Sequence, residues 1–338
     1  MSAGHTAGGD TDQPITVREL SFDDPALPAV WERLLLASDT RAVSQTFEWQ
    51  RLWHETFHRG PLILLAADRA GTTVAIAPFF TEAGMVYFLG VGEADQHDFL
   101  GECSDPDILA ALLRAAMDRV PGFLGFELHF VTKCSRTAPA LALAAQHIGL
   151  NIVEMNSIDS VRVDIAANPA AVRQAVSRSM RKVEDQFRQR GDLVIQRLTT
   201  AKEVLPLLPE FYGMHIARWR LKGIESGFLQ PNVRQFLERW VEVSADRDWL
   251  RFIRLEWNGA TLGMDMNWHY RSTQFSGRWV FALEHAKQSP GQVLLRQSTL
   301  LALDAGMHTY DLGLGDQAYK FRLPSERVTC FTWGLYPP

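Results

Sequence analysis

Cysteine is scarce in this chain. Cys103, Cys134 and Cys330 are the only three in 338 residues, an odd number without metal-ligand spacing, which argues against a zinc site and suits a reducing compartment, the cytoplasm. No apolar run reaches the ~20 residues of a membrane-spanning helix, so no membrane span is expected. Residues 1–14, MSAGHTAGGDTDQP, lack the basic start and apolar stretch of a secretory signal and read as a disordered tail. The chain has no G-x-x-x-x-G-K-[ST] loop, no G-x-S-x-G elbow and no H-E-x-x-H run, which removes P-loop enzymes, serine hydrolases of that type and zincins. Gly313-Leu314-Gly315 follows a strand but lacks the third glycine and opening helix of a dinucleotide fingerprint. His54 and His58 lie one helical turn apart without a third ligand nearby, so they read as a surface pair and no metal is expected. A large excess of charge is absent too: the net charge of −5 argues against wholesale nucleic-acid binding and leaves room for a local basic patch.

What is present describes a globular chain, 46% hydrophobic and 22% charged, long enough for two domains. The two halves repeat one order of elements. In the first, a strand at 15–20 precedes helical segments at 29–37 and 46–57, strands at 62–67, 73–80 and 85–91, a helix at 106–120 and a strand at 123–131. In the second, a strand at 193–198 precedes helices at 202–221 and 231–244, strands at 250–257, 260–269 and 274–283, a helix from Gly291 and a strand at Thr309. Asn258-Gly259 is a specific type I′ hairpin signal, and Asp68 to Gly71 marks a looser version in the first half. Two copies of one α+β unit is the economical reading, with domains at 15–160 and 161–338.

The most informative stretch is Ser289 to Leu323, which reads as turn, helix, strand and glycine loop. Leu294, Leu301 and Ala305 fall on one helical face, and Gln292, Arg296 and Thr299 fall on the opposite, wet one. Ser289 is placed as N-cap, Pro290 as the first helical residue and Gly306 as the exit. The free backbone N–H groups of Gly291, Gln292 and Val293, with the positive end of the helix dipole, suit an anion such as a pyrophosphate, although most helix N-termini bind only water. Thr309 to Leu312 then forms a short strand, and Gly313-Leu314-Gly315 permits a tight turn carrying Asp316, Tyr319 and Lys320.

Asp311, Gly313, Gly315, Tyr319 and Lys320 match D-x-G-x-G-x-x-x-Y-K, and here the sequence resembles the CelD-like acetyltransferases found with bacterial cellulose biosynthesis proteins, within the GNAT superfamily. A basic helix at Ser177 to Gly191, His215, Arg218 and Trp219 in a His-x-x-Arg-Trp run, and Ser289-Pro290-Gly291 also fit, so that the resemblance covers most of 165–323. It implies a tandem GNAT-like fold, each domain a mixed, mainly antiparallel sheet flanked by helices, with the chemistry in the second copy. The first copy has Asp98 to Asp105 in place of a Pro-Gly helix start and nothing like Tyr319-Lys320, so it is expected to be non-catalytic. One departure stands out: Ser289-Pro290-Gly291-Gln292 supplies only one glycine of the usual Q/R-x-x-G-x-G/A pyrophosphate motif.

Between the copies, a helix at 169–190 carries the apolar stripe Val172, Val176, Met180, Val183 and Phe187. Its polar face holds Arg173, Arg178, Arg181, Lys182, Arg188 and Arg190 against Glu184 and Asp185. This is either a solvated surface or a contact for a phosphate-bearing donor, with Arg181 and Lys182 the foremost candidates. His215 is either a hydrogen-bonded core residue or the base that takes a proton from an amine or hydroxyl acceptor. Arg218 would clamp an anion and Trp219 would wall the acceptor pocket; Gly313 and Gly315 would shape it. Tyr319 would protonate the leaving thiolate, a role the resemblance supplies. Lys320 would hold a donor phosphate or substrate carboxylate, or neutralise Asp311, and Asp311 would orient the glycine loop or take part in catalysis. The expected reaction is direct acyl transfer from acetyl-CoA or another acyl-CoA to a small-molecule or saccharide acceptor. The rivals are an acyl carrier donor, an aminoacyl-tRNA-dependent peptidyltransferase of the Fem kind, and a non-enzymatic subunit of polysaccharide production.

Overall fold

The computed structural model describes residues 13–338; of the expected tail, residues 1–12 lie outside the described residues. Residues 13–54, 58–157 and 331–338 form one compact unit, and Glu55–Phe57 with Ile158–Cys330 form a second. The division near residue 158 lies beside the expected boundary at 160, but the last eight residues belong to the first unit.

The first unit contains β1 (Ile15–Glu19), α1 (Leu27–Ala37), most of α2 (Phe47–Phe57), β2 (Leu62–Arg69), β3 (Thr72–Glu82), β4 (Met85–Phe88), β5 (Leu100–Gly101), α3 (Pro106–Met117), β6 (Gly125–Thr132), α4 (Thr137–His147) and the start of β7 (Asn151–Asp164). Its strands follow the order β1-β2-β3-β4-β6, antiparallel except for the parallel pair β4 and β6, which α3 connects. Arg69 pairs with Thr72, and Ala70 and Gly71 both have positive φ. This turn is therefore as tight as the one at Asn258-Gly259, and not looser as the residue types suggested. Ile108, Leu112 and Leu113 of α3 bury against Leu65, Phe79 and Phe126 of the sheet, joined by Leu335 from the returning C-terminus.

The second unit contains the end of β7, α5 (Pro169–Ser177), α6 (Ser179–Arg190), β8 (Leu193–Leu198), α7 (Ala201–Val204), α8 (Leu208–Arg220), α9 (Pro231–Asp246), β9 (Leu250–Trp257), β10 (Ala260–Tyr270), β11 (Thr273–Phe281), α10 (Pro290–Asp304), β12 (Thr309–Leu314) and the start of β13 (Glu326–Tyr336). The order β8-β9-β10-β11-β12 repeats that of β1-β2-β3-β4-β6, again with one parallel pair, β11 and β12, joined through a helix. The α+β expectation of two GNAT-like copies is met: each unit is a meander followed by helix and parallel strand. At the Asn258-Gly259 hairpin Trp257 pairs with Ala260 and both turn residues have positive φ.

Two helices depart from the sequence reading. The linker helix is broken at Arg178, whose backbone lies at φ −100 and ψ −93, giving α5 and α6. The stripe survives the break, since Val172, Val176, Met180 and Phe187 are all buried. Helix α10 has no wet face along its middle: it packs on β9, β10, β11 and β12 and is also covered by α5 and α6. Gln297, Ser298 and Thr299 are consequently buried, whereas Ala305, placed on the packed face from the sequence, is exposed.

Candidate active site

Strands β11 and β12 pair for only three residues, Thr273 to Phe275 against Thr309 to Asp311, and then separate. Both strands are irregular at this level. On the outer side of β11 the register with β10 slips between Asp265 and Asn267. On the outer side of β12 the register with β7 slips between Asp311 and Leu314. Bulges of this kind bend a strand and re-aim its side chains. The split holds a narrow cleft, about 230 Å³ with its open mouth included, lined by Asp265, Ser276, Trp279, Gly291, Tyr310 and Tyr319 among others.

Trp279 is the centre of this arrangement. The Arg218 guanidinium lies 4.4 Å from its ring centroid and 5.0 Å from that of Phe281, and Arg218 donates to the Trp279 carbonyl at 3.4 Å. On another edge, the Trp279 indole N–H donates to the Tyr319 hydroxyl at 3.4 Å, with ring centroids 5.2 Å apart. Arg218 has no carboxylate partner among the described residues; burial lowers its pKa while Tyr319 acts in the opposite direction. The helix start at Gly291 closes against the same ring: a β-carbon there would stand 2.6 Å from it. Glycine is needed at 291 for that close approach.

His215 on α8 is buried. Its Nδ1 lies 2.8 Å from the Ser226 hydroxyl, and its ring stacks on Trp219 and meets Phe228 edge-on. Nε2 has no hydrogen bond among the described residues and is not sealed from solvent. Burial, reinforced by the charges of Arg278, Arg218 and Lys222, holds its pKa down at about 4. At neutral pH the imidazole is therefore uncharged and able to accept a proton.

The glycine loop is organised differently from expectation. Lys320 is buried, and its ammonium donates to the carbonyls of Gly313, Leu314 and Gly315 at 2.7–2.9 Å. Three donors engage three acceptors, so Lys320 clamps the loop and has no donor left for a phosphate or substrate carboxylate. Asp311 accepts from Arg162 at 3.0 Å, Ser160 at 3.3 Å and the Gly313 N–H at 2.9 Å. It orients the loop, the structural alternative of the two roles considered for it. Gly313 and Gly315 take φ values of 75° and 88°, so their part is conformational.

The start of α10 differs from the start of α3. Asp105 caps α3 by accepting from the Asp107 N–H, and Asp107 adds a second acid in the first turn. The α10 N-terminus carries no acidic residue in its first turn and no side-chain cap. Ser289 occupies the cap position in a left-handed conformation without using its hydroxyl as a cap, which corrects the sequence reading. Val293 is wholly buried and its N–H begins the helix's own ladder, and the Gln292 N–H donates to the Ser289 carbonyl at 2.9 Å, so of the three N–H groups expected to be free only that of Gly291 remains. Gln292 is held by Arg322 at 3.1 Å. Arg181 is exposed and pairs with Asp185 at 3.7 Å, and Lys182 is exposed. Of the other helix cations, Arg173 and Arg188 have carboxylate partners, whereas Arg178, Lys182 and Arg190 have none among the described residues.

Trp257, Trp268 and Trp279 lie on adjacent strands, where the sequence allows them to line a cleft; of the three only Trp279 lines this one. Sequence reasoning passed over Asp265. This carboxyl is 3% exposed; burial raises its pKa to about 7, against the lowering influence of the Ser298 hydroxyl, the Asn267 amide and the Met266 N–H near it. A carboxylate between Met264 and Met266 in a buried strand was the available signal.

Residues 159–321 match the sequence model of the family described as Acetyltransferase (GNAT) domain. No curated protein matches the chain significantly. Among solved structures, the chain is similar in fold to FemX, at 10% identity and a TM-score of 0.65, covering 96% of this chain and 97% of that one. It is similar to L-PGS from Bacillus licheniformis at 13% identity and a TM-score of 0.55, covering 92% and 91%. A tandem GNAT protein from the clavulanic acid biosynthesis pathway aligns at 11% identity and a TM-score of 0.52, covering 95% and 98%. The matched residues lie within the second unit, and one of the structural neighbours is itself a tandem GNAT protein.

Proposed function

We propose that the second unit catalyses direct acyl transfer from a thioester, in the first instance an acyl-CoA, to an amine or hydroxyl of a small-molecule or saccharide acceptor. The observation that carries this reading is the split between β11 and β12, with Trp279 and Tyr319 on its walls and the uncapped, acid-free start of α10 at Gly291. In this mechanism the acceptor's nucleophilic atom attacks the thioester carbonyl as the neutral imidazole of His215 takes its proton. The tetrahedral oxyanion collapses by breaking the C–S bond, and the Tyr319 hydroxyl protonates the departing thiolate. Arg218, without a carboxylate of its own, favours the developing negative charge. The Gly291 N–H and the positive end of the α10 dipole favour the donor's pyrophosphate. Lys320 and Asp311 act as positioning residues that fix the loop bearing Tyr319.

Calorimetry of the purified protein with coenzyme A and acetyl-CoA tests this directly. Micromolar binding is expected, retained in Tyr319→Phe, while transfer by that variant falls roughly 10²-fold. The acidic limb of the rate profile is expected near pH 4, the value of His215, and is lost in His215→Ala. Absence of binding to folded protein would remove coenzyme A as the donor's carrier. The three cations Arg178, Lys182 and Arg190, left without carboxylate partners, favour as second reading a polyanionic donor such as an aminoacyl-tRNA.

A further inference from the structure

Asp265 lines the cleft between β11 and β12 beside its cross-strand partner Trp279, yet only one of its two oxygens is satisfied. Oδ2 accepts from the Ser298 hydroxyl of α10. Oδ1 is inaccessible to bulk water and has no hydrogen-bond partner among the described residues. A buried acceptor left in this state destabilises the fold, and apolar residues of similar shape would avoid it.

Behind the carboxyl stands a network that fixes its orientation. The Asn267 amide donates to Ser298 Oγ at 3.4 Å, and the Tyr310 hydroxyl donates to Asn267 Oδ1 at 3.3 Å. The Gln274 amide donates to the Ser298 carbonyl at 3.0 Å, and Gln274 Oε1 lies 2.8 Å from His269 Nε2. Asn267, Gln274, Ser298 and Tyr310 are each no more than 1% exposed. A satisfied buried polar network holds its members in one arrangement, and here a single acceptor at its edge is left for the cleft. Leu294, Leu295, Leu312 and Trp279 supply apolar and aromatic wall, and Ser276, Gly291 and Tyr319 complete the lining.

We propose that the cleft selects a short donor acyl group bearing a hydrogen-bond donor, an amino or hydroxyl group close to its carbonyl, which Asp265 Oδ1 accepts. The inference rests on the reading of this cleft as the acyl site. A plain acetyl or alkyl group would leave Oδ1 unsatisfied, whereas an aminoacyl or hydroxyacyl group supplies the missing donor. For an amino group the charged pair is also stronger than a neutral contact. No bond changes at this residue: it is a specificity determinant, and the transfer step remains as described above.

The test compares isosteric pairs, so that shape is constant and only the donor group changes. Affinities of glycolyl-CoA and propionyl-CoA are measured by calorimetry, and those of the carrier-free fragments glycolamide and propionamide by ligand-observed NMR. The wild-type protein is expected to favour the hydroxyl member about tenfold. In Asp265→Leu/Ser298→Ala, in which the orphaned hydroxyl is removed together with the carboxyl, the preference is expected to vanish. Should that variant misfold, the wild-type pairs decide alone. Equal or tighter binding of propionyl-CoA would overturn the specificity while leaving acyl-CoA transfer standing. Fragment discrimination without binding of either thioester would support the cleft's chemistry and remove coenzyme A as carrier. Absence of discrimination in both pairs would overturn the proposal.

Discussion

Lys320 and Asp265 are both charged residues buried in the second unit, and they do opposite things. The Lys320 ammonium is saturated by three carbonyls, so its removal strands three buried acceptors. Lys320→Met is expected to lower stability by about 3 kcal/mol or more, measured by urea denaturation, and to reduce transfer only through disorder of the loop. An unchanged midpoint would refute the clamp. Asp265 instead carries an unmet requirement that weakens the fold. Its folded pKa, about 7, lies above the ordinary aspartate value of 3.8. The folded state therefore holds the proton more tightly, a contribution fully present below about pH 4 and lost as pH rises through 7. Asp265→Asn is expected to melt higher than wild type above pH 7, with a ceiling of roughly 4 kcal/mol, the gap closing toward pH 4 to 5. A pH-independent gap would show that the carboxyl does not titrate as described. Stability gained by removing a polar group from a cleft is the mark of a residue kept for function.

At the level of elements, the site exists because two strands that begin as neighbours part. The three-residue pairing of β11 and β12 ends where bulges occur on both flanking ladders, and α10 begins against the opened space at Gly291. The break at Arg178 divides the basic linker into α5 and α6 while both keep their apolar stripe on α10. If α5 and α6 serve a polyanionic donor, each charge reversal among Arg178→Glu, Lys182→Glu and Arg190→Glu is expected to reduce the slope of log affinity against log salt by about 1. Filter binding of aminoacyl-tRNA over a salt series measures this. A flat response in all three would leave the cations as solvated surface.

Over the whole molecule, one α+β unit appears twice, and only the second copy has the opened start that suits an anion. In the first, Asp105 and Asp107 place negative charge where α3 begins. The C-terminal residues Phe331–Pro338 belong to the first unit, with Leu335 fully buried in its core. A chain ending at Cys330 is therefore expected to lose stability in the first unit, seen as an earlier transition in calorimetry. A single unshifted transition would contradict that placement.

The sequence by itself determined the elements whose signals are local. Asn258-Gly259 set the hairpin between β9 and β10 because its two residues tolerate positive φ, and the spacing of Val172, Val176, Met180 and Phe187 set a buried stripe. The motif residues located the second copy as the one with a transferase-like glycine loop. Tertiary structure alone decided which polar groups are satisfied. Whether Lys320 is free or spent, whether Asp311 orients or reacts, and whether Asp265 has a partner depend on residues as much as 151 positions apart, as between Asp311 and Ser160. It also decided that Thr299 is buried and Ala305 exposed, because a helix covered by a sheet and by two other helices has no wet face along its middle for a periodic pattern to report.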